Sequence, residues 1–310
     1  MNNKLEIIEL LKNKQILEKE LKMLVYGAAE VRESNKKKYL YVHYREGGIS
    51  LTKYVGEFSE ELFNLVLNNN IKVKEIKKQI KEIDKKLKLL NYTSYDLDEK
   101  IKRNIDFAKR HLVDTIYKQA ILEGIATTFA DTESIVEGGK VNNMSSDDIL
   151  KVINLKHAWE FILNENVILS DTNFSLLCQI NKMVEEGFYY SAGKIRNVPV
   201  SIGGTKWMPS MPIETIIIED LNAIINKNLS YEDKAIELLL YVMKKQIFID
   251  GNKRTAIIFI NHYLISKGKG IIVIPDNETE TFKELLILFY EGKDTKNIKK
   301  FIKEKCFMKL

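Results

Sequence analysis

The sequence predicts a mainly α protein in two parts, a basic helix–hairpin–helix module at 1–95 and a larger helical domain at 96–310. Three observations carry this. Apolar residues recur at three-to-four spacing through most of the chain, the mark of amphipathic helices. A β-rich stretch split by a Gly-Gly pair interrupts them at 38–55. Charge is divided unevenly, with 19 Lys+Arg against 13 Asp+Glu in residues 1–95 and 29 against 30 in the rest.

Taken in order, residues 4–24 form a helix on Leu5, Ile8, Leu11, Leu17, Leu21 and Leu24. Tyr39, Tyr41, Val42 and Tyr44 then face Ile49 to Val55 across Glu46-Gly47-Gly48, which predicts a hairpin. Helix returns at 58–90 on Ile71, Ile76, Ile80, Ile83, Leu87 and Leu90, long enough to pair antiparallel with the first helix. This second helix carries Lys72, Lys74, Lys77, Lys78, Lys81, Lys85, Lys86 and Lys88, interleaved with Glu75, Glu82 and Asp84. Two readings stay open, a solvated face or a surface that neutralises nucleic-acid phosphates or an acidic protein. The hairpin tyrosines fit base stacking and fit packing on the helices equally.

Asn91 to Ser94 reads as a linker. Helices are expected beyond it at 96–123, 146–164, 172–186, 213–226, 231–245, 253–267, 279–290 and 294–305. Ser230 with Asp233 three residues on reads as an N-cap, and Gly268 as a C-cap. The Gly-rich interruption at 193–209, with Val198-Pro199-Val200-Ser201-Ile202 before Gly203-Gly204, predicts a short hairpin or flap.

Composition excludes several classes. Fifteen Gly, four Pro and two Cys rule out collagen, a Pro-rich disordered chain and a disulfide scaffold. Cys178 and Cys306 form no CxxC, and His43, His111, His157 and His262 show no ligand spacing. No apolar run reaches the ~18 residues of a membrane span. Glu6 arrives too early for a signal peptide, so a cytoplasmic, reducing location is the expectation.

The chemistry is concentrated in Gln246-Ile247-Phe248-Ile249-Asp250-Gly251-Asn252-Lys253-Arg254-Thr255-Ala256. The helix that follows is apolar nearly all round from Ala256 to Leu264 and is expected to be central and buried. Its N-terminus offers free N–H groups and the positive end of the helix dipole, an anion site by geometry. Lys253 and Arg254 add fixed charge, Asp250 is a hard oxygen ligand suited to Mg²⁺, and Phe248 anchors the loop. A basic pair at the head of a buried helix is costly without an anion. A polar helix–helix turn is the plainer alternative.

This loop resembles that of the Fic (Fic/Doc) family, His-x-Phe-x-Asp/Glu-Gly-Asn-Gly/Lys-Arg, at Phe248, Asp250, Gly251, Asn252, Lys253 and Arg254. Gly193-Lys194-Ile195-Arg196, then Val200 and Gly203-Gly204, resemble the family's flap, followed by Pro209 and Pro212 where the family has prolines. The likeness extends over most of 100–305. It implies a Fic-like helical domain that takes ATP or another nucleoside triphosphate with Mg²⁺ and transfers AMP to a Ser, Thr or Tyr hydroxyl of a protein. It implies a catalytic set of Gln246, Asp250, Asn252 and Arg254, with Asp250 holding the metal. It implies phosphate binding by Gly251, Asn252, Lys253 and Arg254, and a target-facing flap at Val200, Ser201, Ile202 and Gly203.

Two departures bear on the activity. Gln246 stands where the family has its catalytic histidine, and a carboxamide cannot take a proton near pH 7. Ile257 stands where many members carry a second arginine, which is closer to the Doc branch, whose members transfer phosphate. The family's inhibitory glutamate has two weak candidates, Glu123 before Gly124 and Glu137 before Gly138, of which spacing favours Glu123 as a regulatory residue. The expected function is protein adenylylation in intact or weakened form. The alternatives are a nucleotide-binding pseudoenzyme working through residues 1–95, and a Doc-like phosphotransferase. A homodimer is compatible with the chain, and a membrane partner is not expected.

Overall fold

The computed structural model describes residues 2–34, 37–46, 49–90, 92, 97–142 and 144–310. Contacts divide the chain into two compact units, one of residues 9–93 and one of 1–8 with 94–310. The predicted Gly47-Gly48 turn and, apart from Tyr92, the predicted 91–94 linker lie outside the described residues.

The first unit is built from α1 (Asn2–Met23) from Glu9 onward, β1 (Ala28–Ser34), β2 (Lys37–Glu46), β3 (Ile49–Glu57) and α2 (Glu60–Leu89). Ser59 caps α2 by accepting the Leu62 N–H at 3.1 Å, and Glu60 and Glu61 complement the helix dipole. Lys14 meets Asp84 at 2.7 Å and Lys72 meets Glu20 at 2.5 Å, so α1 and α2 run antiparallel as expected. The sheet is antiparallel in the order β1-β2-β3. Leu40 and Val42 point from β2 into a core shared with Val66 of α2, while Tyr39 and Tyr41 alternate to the other face beside Tyr54.

The hairpin expected from sequence is thus two strands of a three-stranded sheet. The strand not foreseen, β1, reads AAEVRES, an exposed edge with no apolar alternation. It follows Gly27, whose φ of +144° and close approach to the His43 carbonyl leave no room for a Cβ. Of the eight lysines of α2, Lys72 is ion-paired and Lys77 lies 5.2 Å from the Tyr26 ring centre.

The second unit contains α3 (Glu99–Arg110), α4 (Leu112–Leu122), α5 (Phe129–Glu137), α6 (Ser146–Ile162), α7 (Glu165–Ile168), α8 (Phe174–Val184), α9 (Glu214–Asn226), α10 (Tyr231–Lys245), α11 (Asn252–Ile265), α12 (Thr279–Tyr290) and α13 (Lys296–Phe301). Strands β4 (Ile271–Ile272) and β5 (Phe307–Met308) form a minimal antiparallel pair. The protein is mainly α, as the periodicity indicates. Every residue of α11 except Lys253 is buried, and α10, α8, α6 and α3 pack around it. Ser230 caps α10 through the Asp233 N–H at 3.0 Å, and Gly268 follows α11 with φ +64°.

Several elements differ from expectation. The helix predicted at 96–123 is broken at His111, whose Nδ1 lies 2.9 Å from the Phe107 carbonyl. No Gly or Pro marks that break. Helix α5, not foreseen, is bounded by Thr128, which accepts the Asp131 N–H, and by Gly138 at φ +83°. The flap at 193–209 contains no strand pairing; it runs as turns and irregular chain. No described helix is long and apolar enough to cross a membrane.

Candidate active site

The loop between α10 and α11 opens with a turn that sequence does not advertise. Gln246 caps α10 in the left-handed region, at φ 47°, the one non-glycine with positive φ among the described residues. Such a conformation is costly for a side chain larger than Asn or Asp and persists only when the surroundings fix it. Three contacts fix it here. The Gln246 amide donates to the Met243 carbonyl at 2.7 Å, and its Oε1 accepts from Asn252 at 3.2 Å. Its backbone carbonyl accepts from Arg196 Nε at 2.6 Å.

Asn252 closes the loop from the other side. Its Oδ1 accepts the Phe248 N–H at 2.9 Å, and its Nδ2 donates to the Phe248 carbonyl at 2.8 Å. The Phe248 ring is buried beneath them. From α8, Asn181 donates to the Asp250 carbonyl and to Thr255 Oγ1, both at 3.1 Å, and accepts the Gly193 N–H at 2.8 Å. One buried amide thus joins the loop, the first turn of α11 and the start of the flap segment.

Asp250 leaves this scaffold with its carboxylate 55% exposed, and Oδ1 accepts the Gly251 N–H at 2.7 Å. Gly251 follows at φ +71° as the N-cap of α11 and supplies no capping side chain. The first-turn N–H groups of α11 therefore have no intrahelical acceptor and no cap.

Arg254 is buried at the head of the helix. Its Nη2 lies 2.9 Å from Glu185 Oε1 and 3.7 Å from Asp250 Oδ2, and its Nε lies 3.6 Å from Glu123 Oε2. Lys253 reaches Glu123 Oε1 at 3.7 Å. None of these pairs with Arg254 or Lys253 has hydrogen-bond alignment. Arg254 Nε and Nη1, Glu123 Oε1 and Glu185 Oε1 are buried without a hydrogen-bond partner. Such orphaned charged groups are costly and mark a site shaped for something else.

Burial pushes the Glu185 carboxyl up to about 7, against the pull of Arg254 and with the push of Asp250 and Glu123. Glu185 was missed in the sequence reading. It sits one residue past α8, in Glu185-Glu186-Gly187, and nothing in its spacing from the loop points there. A Cβ on Gly251 would overlap Glu185 Oε1, so the two groups are in close contact.

Glu123, at the C-cap of α4, lies beside Lys253 and Arg254. Ile257 is buried one turn into α11, where no arginine reaches the site. Of the flap residues, Val200 and Ile202 are half-buried and Ser201 and Gly203 are exposed. The flap segment is tied to the loop by Arg196, another residue whose role the sequence did not reveal. Besides the Gln246 carbonyl, its guanidinium donates to Val198 O at 2.8 Å, Ser210 O at 2.6 Å and Pro209 O at 3.4 Å.

Asp250 is the ligand available for a divalent cation. No group of three His, Cys, Asp or Glu side chains among the described residues is placed to hold a metal alone. That donor set fits an ion bound jointly by one carboxylate and the oxygens of a phosphate ligand, the common arrangement for Mg²⁺.

Residues 171–264, from before α8 to the end of α11, match the profile of the Fic/DOC family. The fold of the chain is similar to that of several solved structures at low sequence identity. Fic-1 (residues 134–508) from C. elegans aligns with a TM-score of 0.53 at 17% identity, covering 79% of this chain and 73% of that one. A Fic-domain-containing signaling protein from Bacteroides thetaiotaomicron aligns with a TM-score of 0.55 at 18% identity, covering 67% and 85%. A Fic family protein from Desulfovibrio desulfuricans aligns with a TM-score of 0.52 at 14% identity, covering 68% and 73%. No curated protein sequence matches the chain significantly.

Proposed function

We propose that this Fic-domain protein binds a nucleoside triphosphate, ATP being the reference case, with its phosphates at 250–254 and Mg²⁺ at Asp250. In this reading it transfers AMP to a protein hydroxyl at a rate limited by Gln246. The observation that carries the reading is Arg254, buried at the uncapped start of α11 with Nε and Nη1 unsatisfied. A phosphate is the ligand that satisfies an orphaned guanidinium and free helix N–H groups together.

Each residue has a separate task. Asp250 holds the cation, which when bound neutralises phosphate charge. The N–H groups of Asn252 and Lys253 and the Arg254 guanidinium face charge that develops on the transferred group, and Asn252 keeps the loop in shape. Gln246 can orient a hydroxyl but cannot accept its proton, and both ends of its amide are already bonded, to Met243 of α10 and Asn252 of α11. That favours a second reading, nucleotide binding without efficient transfer. Glu185 and Glu123 place carboxylates against the cations that would meet phosphate, so both act as competitors of the nucleotide.

ATP labelled at the α- or the γ-phosphate distinguishes the outcomes. Label from the α position on a protein supports adenylylation. Label from the γ position alone supports the Doc-like reaction, and label from neither, with ATP bound, supports the binding-only reading.

A further inference from the structure

Beside the reactive loop lies a groove of about 470 Å³ that the proposed chemistry leaves unused. Its walls come from α9, α10, the end of α12, the start of α13 and the chain after the flap. Trp207 forms one side, stacked on Tyr290 with ring centres 5.6 Å apart and planes 14° apart. Lys244 Nζ lies 5.5 Å from the Trp207 ring centre and 4.8 Å from that of Phe289, and donates to the Phe289 carbonyl at 2.9 Å. Among the described residues Lys244 makes no ion pair.

The charge of the groove is one-sided. Lys227, Lys244, Lys245 and Lys299 line it against the single carboxylate of Glu237, which Lys227 and Lys299 share at 2.5 and 3.2 Å. Lys245 is balanced in part by Asp220, 3.9 Å away. Around Pro209 and Ser210, which line the groove, the chain carries exposed apolar side chains: Met208 is 60% exposed and Met211 45%, and Ile213 and Ile216 follow at 55% and 40%. A run of exposed Met and Ile beside a basic groove is a surface made for a partner, since isolated domains seldom leave such side chains together in water.

We propose that this groove and the strip at 208–216 dock an acidic segment of the protein substrate that carries apolar side chains. This rests on the reading that the neighbouring loop modifies a protein. Lysines set the sign of the partner's charge, and the strip supplies the apolar contacts. Arg196 couples the surface to the reactive position. One guanidinium binds Pro209 O and Ser210 O at the groove's edge and Gln246 O in the loop, and its Nη1 lies 3.2 Å from Met211 Sδ. Lys244 and Lys245 immediately precede Gln246 in the chain. A segment held here is therefore anchored through rigid contacts to the place where its hydroxyl must be presented.

The test uses the full chain and a fluorescein-labelled synthetic peptide of Leu and Glu, with a twin in which every Glu is Gln. Fluorescence anisotropy is expected to give the Glu peptide an affinity about tenfold or more above its twin, falling as salt is raised. Lys227→Gln with Lys299→Gln, and separately Met208→Ser with Ile216→Ser, are each expected to weaken it by about tenfold or more in proteins that still melt cooperatively. Equal affinity for the two peptides, or wild-type affinity in both double variants, overturns the proposal. So does preferential capture of single-stranded RNA by the same lysines. Mg·ATP titrated into the same samples separates the two readings. Peptide binding without ATP binding keeps the docking surface and removes the nucleotide site; ATP binding without peptide selectivity removes only the docking surface.

Discussion

The Arg254 guanidinium meets the Glu185 carboxylate at 2.9 Å inside the second unit, yet Arg254 Nε and Nη1 remain without hydrogen-bond partners. The pair is close enough to neutralise and too poorly aligned to satisfy. A ligand with several oxygens would do better than the protein's own carboxylate.

Replacing Glu185 by Gln therefore has two effects. It removes a carboxylate from the phosphate region, which is expected to tighten Mg·ATP binding by about tenfold, the gain of one charge-assisted contact. Because burial already pushes the Glu185 carboxyl up to about 7, the fold disfavours its charged form, and the neutral amide is expected to keep or raise stability at and above pH 7. Calorimetric titration and thermal melting check the two signs separately; weaker binding in Glu185→Gln would show that Glu185 organises the site and does not compete for it.

Gln246→His restores a proton acceptor at the left-handed turn. Histidine is among the residues that tolerate that region. With the loop otherwise matching, label from α-labelled ATP is expected on protein at a rate about 10²–10⁴ above the parent. A silent variant with intact ATP affinity would confine the protein to binding.

Arg196→Met keeps the volume and removes contacts to four carbonyls and one sulfur. The chain from 198 to 211 is then expected to loosen, giving faster tryptic cleavage after Lys206 and a stability loss of about 2–4 kcal/mol. Cleavage at the parent rate would mean that the segment is held by other contacts.

His262 is buried in α11, its Nε2 donating to Val167 O at 3.0 Å and its Nδ1 accepting from Thr172 at 2.9 Å. Burial lowers it from 6.5 to about 4. The native state therefore refuses a proton that the unfolded chain takes up. Stability from the neutral ring is full above pH 6.5, falls between 6.5 and 4, and levels below that, a change of about 3 kcal/mol. Urea midpoints measured across this window should fall more steeply in the parent than in His262→Gln.

Much of this was legible in the sequence because the signals were local. The apolar run from Ala256 to Leu264 dictates a buried helix, and Phe248, Asp250 and Asn252 stand out through their resemblance to a known loop motif. The residues that were not legible act across distance. Glu185 and Arg196 look like ordinary charges on the chain, and only the packing of α8 and the flap segment against the loop makes them internal. Strand β1 and the break at His111 escaped for another reason. An exposed edge strand needs no apolar alternation, and a helix can end on a side-chain contact without a glycine or a proline.

The central claim is that Arg254 and the uncapped start of α11 hold phosphate. Calorimetry of Mg·ATP with the parent protein and with Arg254→Gln, which removes the charge and keeps most of the shape, tests it most directly. The account predicts measurable binding to the parent and a loss of about 10- to 100-fold in the variant, corresponding to a charge-assisted contact of about 1.5–3 kcal/mol. Equal affinity in the two folded proteins, or no binding to the parent, would contradict it.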